Sequence, residues 1–197
     1  IYKSTKLLFC IMKFIDKNTI LLEKELNELD LFVLAFIRTL EKHTRYIIIS
    51  GYVSIFFGRT RSTEDVDILI EEIPKEKFAE LYNNLRQNYW WLNAEDLNEI
   101  YDYLTKGLAV RFAKQHQTIP NFEIKFARKQ HDKEALLNPL LVKTGQGNLS
   151  ISSLEQQIAY KKYYLKSDKD LEDAAHLENI FKEHLDAKKI EEYKKII

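Results

Sequence analysis

A single cysteine, Cys10, rules out an internal disulfide and fits a reducing compartment. No apolar run approaches the roughly 20 residues that cross a bilayer as a helix, and a cytoplasmic location is expected. Neither sign of charge dominates. Lys+Arg and Asp+Glu stand at 30 each, so no global basic field advertises nucleic-acid binding, although a local patch stays open. A Gly-x4-Gly-Lys-Ser/Thr loop is missing, which disfavours P-loop hydrolysis. The five histidines (His43, His116, His131, His176, His184) lack metal-ligand spacing such as His-x3-His. There is no internal repeat and no low-complexity linker. Methionine occurs once, at Met12. Residues 1–11 read as an upstream extension of the reading frame, and their apolar part, Leu7–Met12, is short for a secretory signal.

What is present is an ordinary globular composition in 197 residues, enough to bury a core without staples. From Asn18 to His43, Leu22, Leu26, Leu29, Val33, Phe36, Ile37 and Leu40 recur at helical spacing and predict a core-covering helix, with Asp30 able to start a second one. Tyr46–Ile49 is a β-branched run expected as a strand buried on both faces. Ser50-Gly51 and a short helix over 52–57 follow, stopped by Gly58. A basic loop leads into strand Asp65–Ile70. A helix opens near Pro74 and runs to about Asn88. Trp90-Trp91 reads as core or helix-covering bulk. A helix from about Asn93 to Lys106 precedes strands at Leu108–Ala113 and Asn121–Ala127. Leu140–Lys143 and Asn148–Ile151 flank a hairpin turn. From Ser152 the chain is expected to be helical, broken near Ser167-Asp168. The expected organisation is an extension over 1–17, an α+β core over 18–151, and a helical segment over 152–197.

The chemistry concentrates in Tyr46–Glu72. Residues two apart on a strand share a face, so Asp65 and Asp67 project together while Val66 and Ile68 enter the core. Two carboxylates this close repel unless a cation neutralises them or one takes a proton. Hard oxygen ligands favour Mg²⁺ or Mn²⁺, and such sites often combine one or two carboxylates with substrate phosphates. Ser50-Gly51 stands at a strand-to-helix junction, where unpaired backbone N–H groups favour an anion. Arg59, Arg61 and Thr63 occupy the loop ahead of Asp65, and a guanidinium there matches phosphate geometry. Arg111 to His116 fits the Arg-x4-His pattern of small helical ribonucleases, but it begins in a strand candidate, which argues against that class.

Ile49-Ser50-Gly51, thirteen residues, then Asp65-Val66-Asp67-Ile68 resembles the nucleotidyltransferase superfamily that includes DNA polymerase β, CCA-adding enzymes and kanamycin nucleotidyltransferase. The family pair is Gly-Gly or Gly-Ser where this chain has Ser-Gly. The run from Gly58 through Arg59, Arg61 and Thr63 to Asp67 is closest to bacterial and archaeal relatives of the AbiEii group. The resemblance implies an α+β fold, a nucleotidyltransferase-like mixed sheet flanked by helices, with C-terminal helices packed on it. It implies a third carboxylate in an apolar-acidic-apolar setting, met by Phe122-Glu123-Ile124, so that Asp65, Asp67 and Glu123 would be both catalytic and metal-binding. It implies a C-terminal lysine, for which Lys161 and Lys162 are both eligible and Lys162 is favoured. Ser50, Gly51, Arg59, Arg61 and Thr63 would complete the nucleotide site. Asp170 and Asp173 are expected to cap and pack rather than react. The implied activity moves a nucleoside monophosphate from a nucleoside triphosphate to a hydroxyl of RNA, protein or a small molecule. The competing expectation is an inactive nucleotide-binding or toxin–antitoxin interaction module on the same fold.

Overall fold

The computed structural model describes residues 11–197. Cys10 and the rest of 1–10 lie outside the described residues. Of the extension expected over 1–17, Ile11–Asp16 is strand β1, paired antiparallel with β2, Thr19–Glu23. The helix expected from residue 18 is therefore shorter: α1 spans Glu28–Leu40. Its start is fixed by a capping box in which Asn27 accepts from the Asp30 N–H and Asp30 accepts from the Asn27 N–H. Ile20 and Leu22 go into the core by strand alternation, a spacing that the leucine pattern had hidden.

Strand β3 (Tyr46–Ile49), helix α2 (Gly51–Phe56) and strand β4 (Asp65–Ile70) form the central unit. Helix α3 (Lys75–Leu85), strand β5 (Tyr89–Trp91), helix α4 (Leu97–Thr105) and strands β6 (Val110–Lys114) and β7 (Asn121–Phe126) follow. The Trp pair is thus an edge strand. Trp91 packs against Phe112 and Tyr82, while Trp90 stays exposed. Helix α5 (Gln130–Leu137) was not foreseen, and the hairpin β8 (Leu140–Thr144) to β9 (Gly147–Ile151) was. The C-terminal segment comprises α6 (Leu154–Ala159), a π-helical turn over Tyr160–Leu165, α7 (Asp168–Ile180) and α8 (Ala187–Ile196).

The strands build one mixed nine-stranded sheet in the order β1-β2-β8-β9-β3-β4-β7-β6-β5. One face carries Ile48, Val66, Ile68, Phe112, Phe122 and Ile124 into the main core under α1, α3 and α4. Aromatic stacking helps to fill it, with the Phe36 and Phe122 rings 4.0 Å apart. The other face has only a small apolar patch, where Ile47 and Leu69 meet Ala135 and Leu136 of α5. Next to that patch Asp65, Asp67, Glu123 and Lys125 make the face polar, and there it holds the site. The chain is an α+β protein with a large mixed sheet flanked by helices.

A buried ion network sets the position of α2. Asp30 is fully buried, accepts from the Tyr52 hydroxyl at 2.9 Å and pairs with the Lys24 ammonium at 2.8 Å. Lys24 also donates to the Phe56 carbonyl at the end of α2. Removing one partner of a buried pair leaves the other uncompensated, which costs about 3–5 kcal/mol. Asp30→Ala is therefore expected to lower the unfolding free energy in urea by about that amount. A loss below about 1 kcal/mol would mean that the network does not position α2.

Candidate functional site

Strand β4 pairs in parallel with β7, with Asp67 opposite Glu123 and Asp65 opposite Asn121. Register partners share a face, so Asp65, Asp67 and Glu123 line one side of the sheet. The Thr63 hydroxyl donates to the Asp65 carboxylate at 3.2 Å and to the Asp65 carbonyl at 3.0 Å. Thr63 therefore orients Asp65 from the preceding loop.

The three carboxylates are balanced differently. Asp67 is pushed up to about 6, first by burial and then by the like charges of Asp65 and Glu123, with Ser50 and Lys125 pulling the other way. Burial would also raise Glu123, but hydrogen bonds from Lys125 and Arg111 outweigh it and hold that carboxyl below its usual value. Both Glu123 oxygens are engaged: one takes Arg111 Nε at 2.8 Å and Nη2 at 2.7 Å, the other Lys125 Nζ at 2.7 Å. Among the described residues no three His, Cys, Asp or Glu side chains are grouped so as to hold a metal ion. Asp65 and Asp67 fit a hard divalent cation as a two-carboxylate set. Glu123 fits as a third ligand only by exchanging Arg111 or Lys125.

Beside them, Ser50 caps α2 with φ 66° and ψ −139°, a conformation that glycine adopts freely and serine does not. The strain is held in place by Gln157 of α6, whose Oε1 accepts from the Ser50 N–H at 3.2 Å. Gly51 follows, and a Cβ there would collide with the Arg61 guanidinium. Arg61 thus lies against the start of α2, anchored to Asp173 by Nε to Oδ1 at 3.0 Å and Nη2 to Oδ2 at 2.8 Å. Asp173 is fully buried and also takes Lys161 Nζ at 2.9 Å. Lys161 reaches Asp170 as well, at 3.2 Å. Burial alone would raise the Asp173 carboxyl; the Arg61 and Lys161 hydrogen bonds outweigh it and lower it. Arg59 pairs with the exposed Glu172 on the same helix.

Lys161 lines a cavity with Ser50, Asp67, Lys125 and Gln157, whereas Lys162 turns away to Glu178 at 2.9 Å. The site therefore brings together Ser50, Gly51, Arg61, Thr63, Asp65, Asp67, Glu123 and Lys161. Arg59 and Lys162 stand at its margin, in ion pairs on α7. Three further neighbours, Arg111, Lys125 and Gln157, were not expected. Of these, Lys125 had a signal, since it lies two residues from Glu123 on the same strand.

No helix among the described residues is long and apolar enough to cross a membrane. No protein-family model matches this chain, and no match is found among curated proteins. Among solved structures, the chain is similar to an antigenic nucleotidyltransferase-like protein from Paracoccidioides brasiliensis, at 14% identity over 76% of this chain and 74% of that one, TM-score 0.48. It is similar to the antibiotic-resistance factor ANT(2'')-Ia at 11% identity over 83% and 89% of the two chains, TM-score 0.47. It is also similar to JHP933 from Helicobacter pylori, at 17% identity over 87% and 76%, TM-score 0.44.

Proposed function

We propose that this chain is a metal-dependent nucleotidyltransferase, moving a nucleoside monophosphate from a nucleoside triphosphate to a hydroxyl of RNA, protein or a small molecule. The observation that carries the reading is the β4–β7 register, with Asp67 across from Glu123 and Asp65 two residues earlier, beside the Ser50-Gly51 turn. In the transfer the acceptor oxygen bonds to the α-phosphorus and the bond to the bridging oxygen breaks. Pyrophosphate leaves with that electron pair, and the acceptor proton passes to solvent. Asp65 and Asp67 would hold Mg²⁺ or Mn²⁺, which when bound supplies Lewis-acid stabilisation of the developing charge. Arg61 and Lys161 supply the positive charge on the phosphate side, fixed in place by Asp173. Such preorganised charge is the main lever in phosphoryl chemistry.

A second reading is nucleotide binding without transfer, as in an inactive relative or an interaction module. It is favoured by the ion pairs that occupy both oxygens of Glu123. Incubation with each labelled triphosphate, Mg²⁺ and total RNA or cell lysate separates the two. Transfer is expected from the wild type and is expected to fall at least about 100-fold in Asp65→Ala and in Asp67→Ala. Tight triphosphate binding with no transfer by the wild type would establish the second reading instead.

The unneutralised carboxylates also carry a stability cost. Asp67 titrates near 6 against an ordinary 3.8, so ionising it is harder in the folded state. Stability from this group is intact below about pH 4 and is lost as pH rises through 6, by about 3 kcal/mol for a shift of about two units. Asp67→Asn is therefore expected to be more stable than wild type at pH 7.5 by up to that amount and no more stable at pH 4. Saturating Mg²⁺ should narrow the gap by stabilising only the wild type. Equal urea midpoints of wild type and Asp67→Asn at both pH values would mean that burial and like charge do not destabilise the ionised Asp67.

A further inference from the structure

Transfer at phosphorus has a direction. In an in-line displacement the attacking and leaving oxygens stand on opposite sides of the phosphorus. The groups that would hold the leaving pyrophosphate, Ser50-Gly51, Arg61 and Lys161, lie on the β3 and α2 side of Asp65 and Asp67. Away from β3 the sheet continues from β4 through β7, β6 and β5. An acceptor hydroxyl would therefore come from that flank.

Strand register says what stands there. Asp65 is opposite Asn121, Asn121 opposite Ala113, and Ala113 opposite Trp90, one row across four strands. The neighbouring row runs from Asp67 through Glu123 to Arg111. Register partners share a face, so Trp90 and Arg111 belong to the face that carries the carboxylates. Three strand spacings separate Trp90 from Asp65, roughly 14 Å, which leaves room for a strand of several nucleotides between them. Helix α5 packs on this face over β3 and β4, but the far flank is open. The Arg111 and Lys125 side chains are 52% and 42% exposed there, and Trp90 is 43% exposed.

The chemistry of this flank suits nucleic acid. Tyr89 and Trp91 on either side of Trp90 pack against the core, and the Trp90 Nε1 donates to the Gln117 carbonyl at 2.6 Å, which holds the ring in place. With its one polar atom engaged, the indole offers an apolar face, and a fixed aromatic face stacks on any base. The His116 ring lies 6.4 Å from it. Arg111 meets a single Glu123 oxygen with Nε and Nη2, so its Nη1 hydrogens have no protein partner among the described residues and can meet a phosphate. Lys125 takes the other Glu123 oxygen. Two cations thus face one carboxylate, and the strip beyond the aspartates keeps a positive balance that complements a phosphate backbone.

We propose that the β7–β6–β5 flank is the acceptor surface and that its occupant is the end of a single-stranded nucleic acid, with one base stacked on Trp90 and a phosphate on Arg111. The inference rests on the nucleotidyl-transfer reading and names the acceptor class within it. A terminal sugar hydroxyl then attacks: its oxygen bonds to the α-phosphorus, pyrophosphate leaves with the electron pair of the broken bond, and the proton passes to solvent. The Arg-x4-His run from Arg111 to His116 belongs to this surface, on a strand and the turn after it.

Anisotropy titration of the full chain in Mg²⁺ with short RNA and DNA strands of one sequence, dye-labelled at the 5′ end, reads binding directly. At least one strand is expected to bind, with an affinity that falls as salt rises, and to quench the tryptophan fluorescence of the wild type. Trp90→Ala is expected to weaken that binding about fivefold or more and Trp90→Phe to keep it within about twofold, while both bind a nucleoside triphosphate as the wild type does. The RNA and DNA arms show which sugar is accepted. No binding of either strand by a wild type that binds triphosphate would overturn the acceptor surface and leave the transfer reading standing. Undiminished binding in Trp90→Ala, or equal losses in Trp90→Ala and Trp90→Phe, would do the same. So would label that passes from the triphosphate to protein in a nuclease-treated lysate and to neither strand. Failure of the wild type to bind any triphosphate would overturn both.

Discussion

Alternation along one strand decides where this protein is apolar and where it is charged. In β4, Val66, Ile68 and Ile70 point into the main core while Asp65, Asp67 and Leu69 point to the other face. The same period in β7 buries Phe122 and Ile124 and turns Glu123 toward Asp67. A slip of one residue between the two strands would send carboxylates into the core and phenylalanine to the site, so the register is fixed by the cost of burying charge. The acidic face is thus the reverse side of the hydrophobic core.

That concentration of negative charge is handled locally, and unevenly. Glu123 is bonded by Lys125 and Arg111 and Asp173 by Arg61 and Lys161, and both carboxyls are lowered as a result. Asp67 has the hydroxyl of Ser50 and one lysine to set against two carboxylates and burial, and it is raised. The protein carries the repulsion because α2, α6 and α7 hold the surrounding groups in place. Gln157 restrains Ser50 in its strained conformation, and the Asp30–Tyr52–Lys24 network keeps α2 from shifting. Perturbed groups gathered in one cleft and supported by rigid elements make this face a candidate functional site.

Local pattern made much of this legible. The β-branched run at Tyr46–Ile49, the Asp-Val-Asp alternation and the apolar flanks of Glu123 sufficed to set strands and faces. Contacts distant in sequence were not legible. The Ser50–Gln157 bond spans 107 positions and the Arg61–Asp173 pair 112, and nothing in either local stretch announces the other. Helix α5 was missed because only Ala135 and Leu136 of its residues are buried, too few to produce a helical period. The sequence favours Lys162 over Lys161, but it is Lys161 that lines the cavity: the π-helical turn at Tyr160–Leu165 inserts an extra residue into the helical phase. A count at 3.6 residues per turn then fails to say which lysine faces inward.

The C-terminal helices are consequently part of the site, not an appendage to it. Asp173 of α7 is fully buried, and it grips Arg61 from the central loop and Lys161 from the π-helical turn. Pulling α7 away would strip Arg61 and Lys161 of Asp173, and Lys161 of Asp170, in a partly buried setting, a cost of several kcal/mol. The same grip sets how an anion would be received at Gly51. Arg61 already rests against that glycine with its guanidinium bound on the Asp173 side, so under the proposed function an arriving phosphate would meet a cation whose position is settled beforehand. Preorganisation of that kind reduces the ordering cost paid on binding, and it depends on glycine at position 51, since any side chain there would displace the arginine.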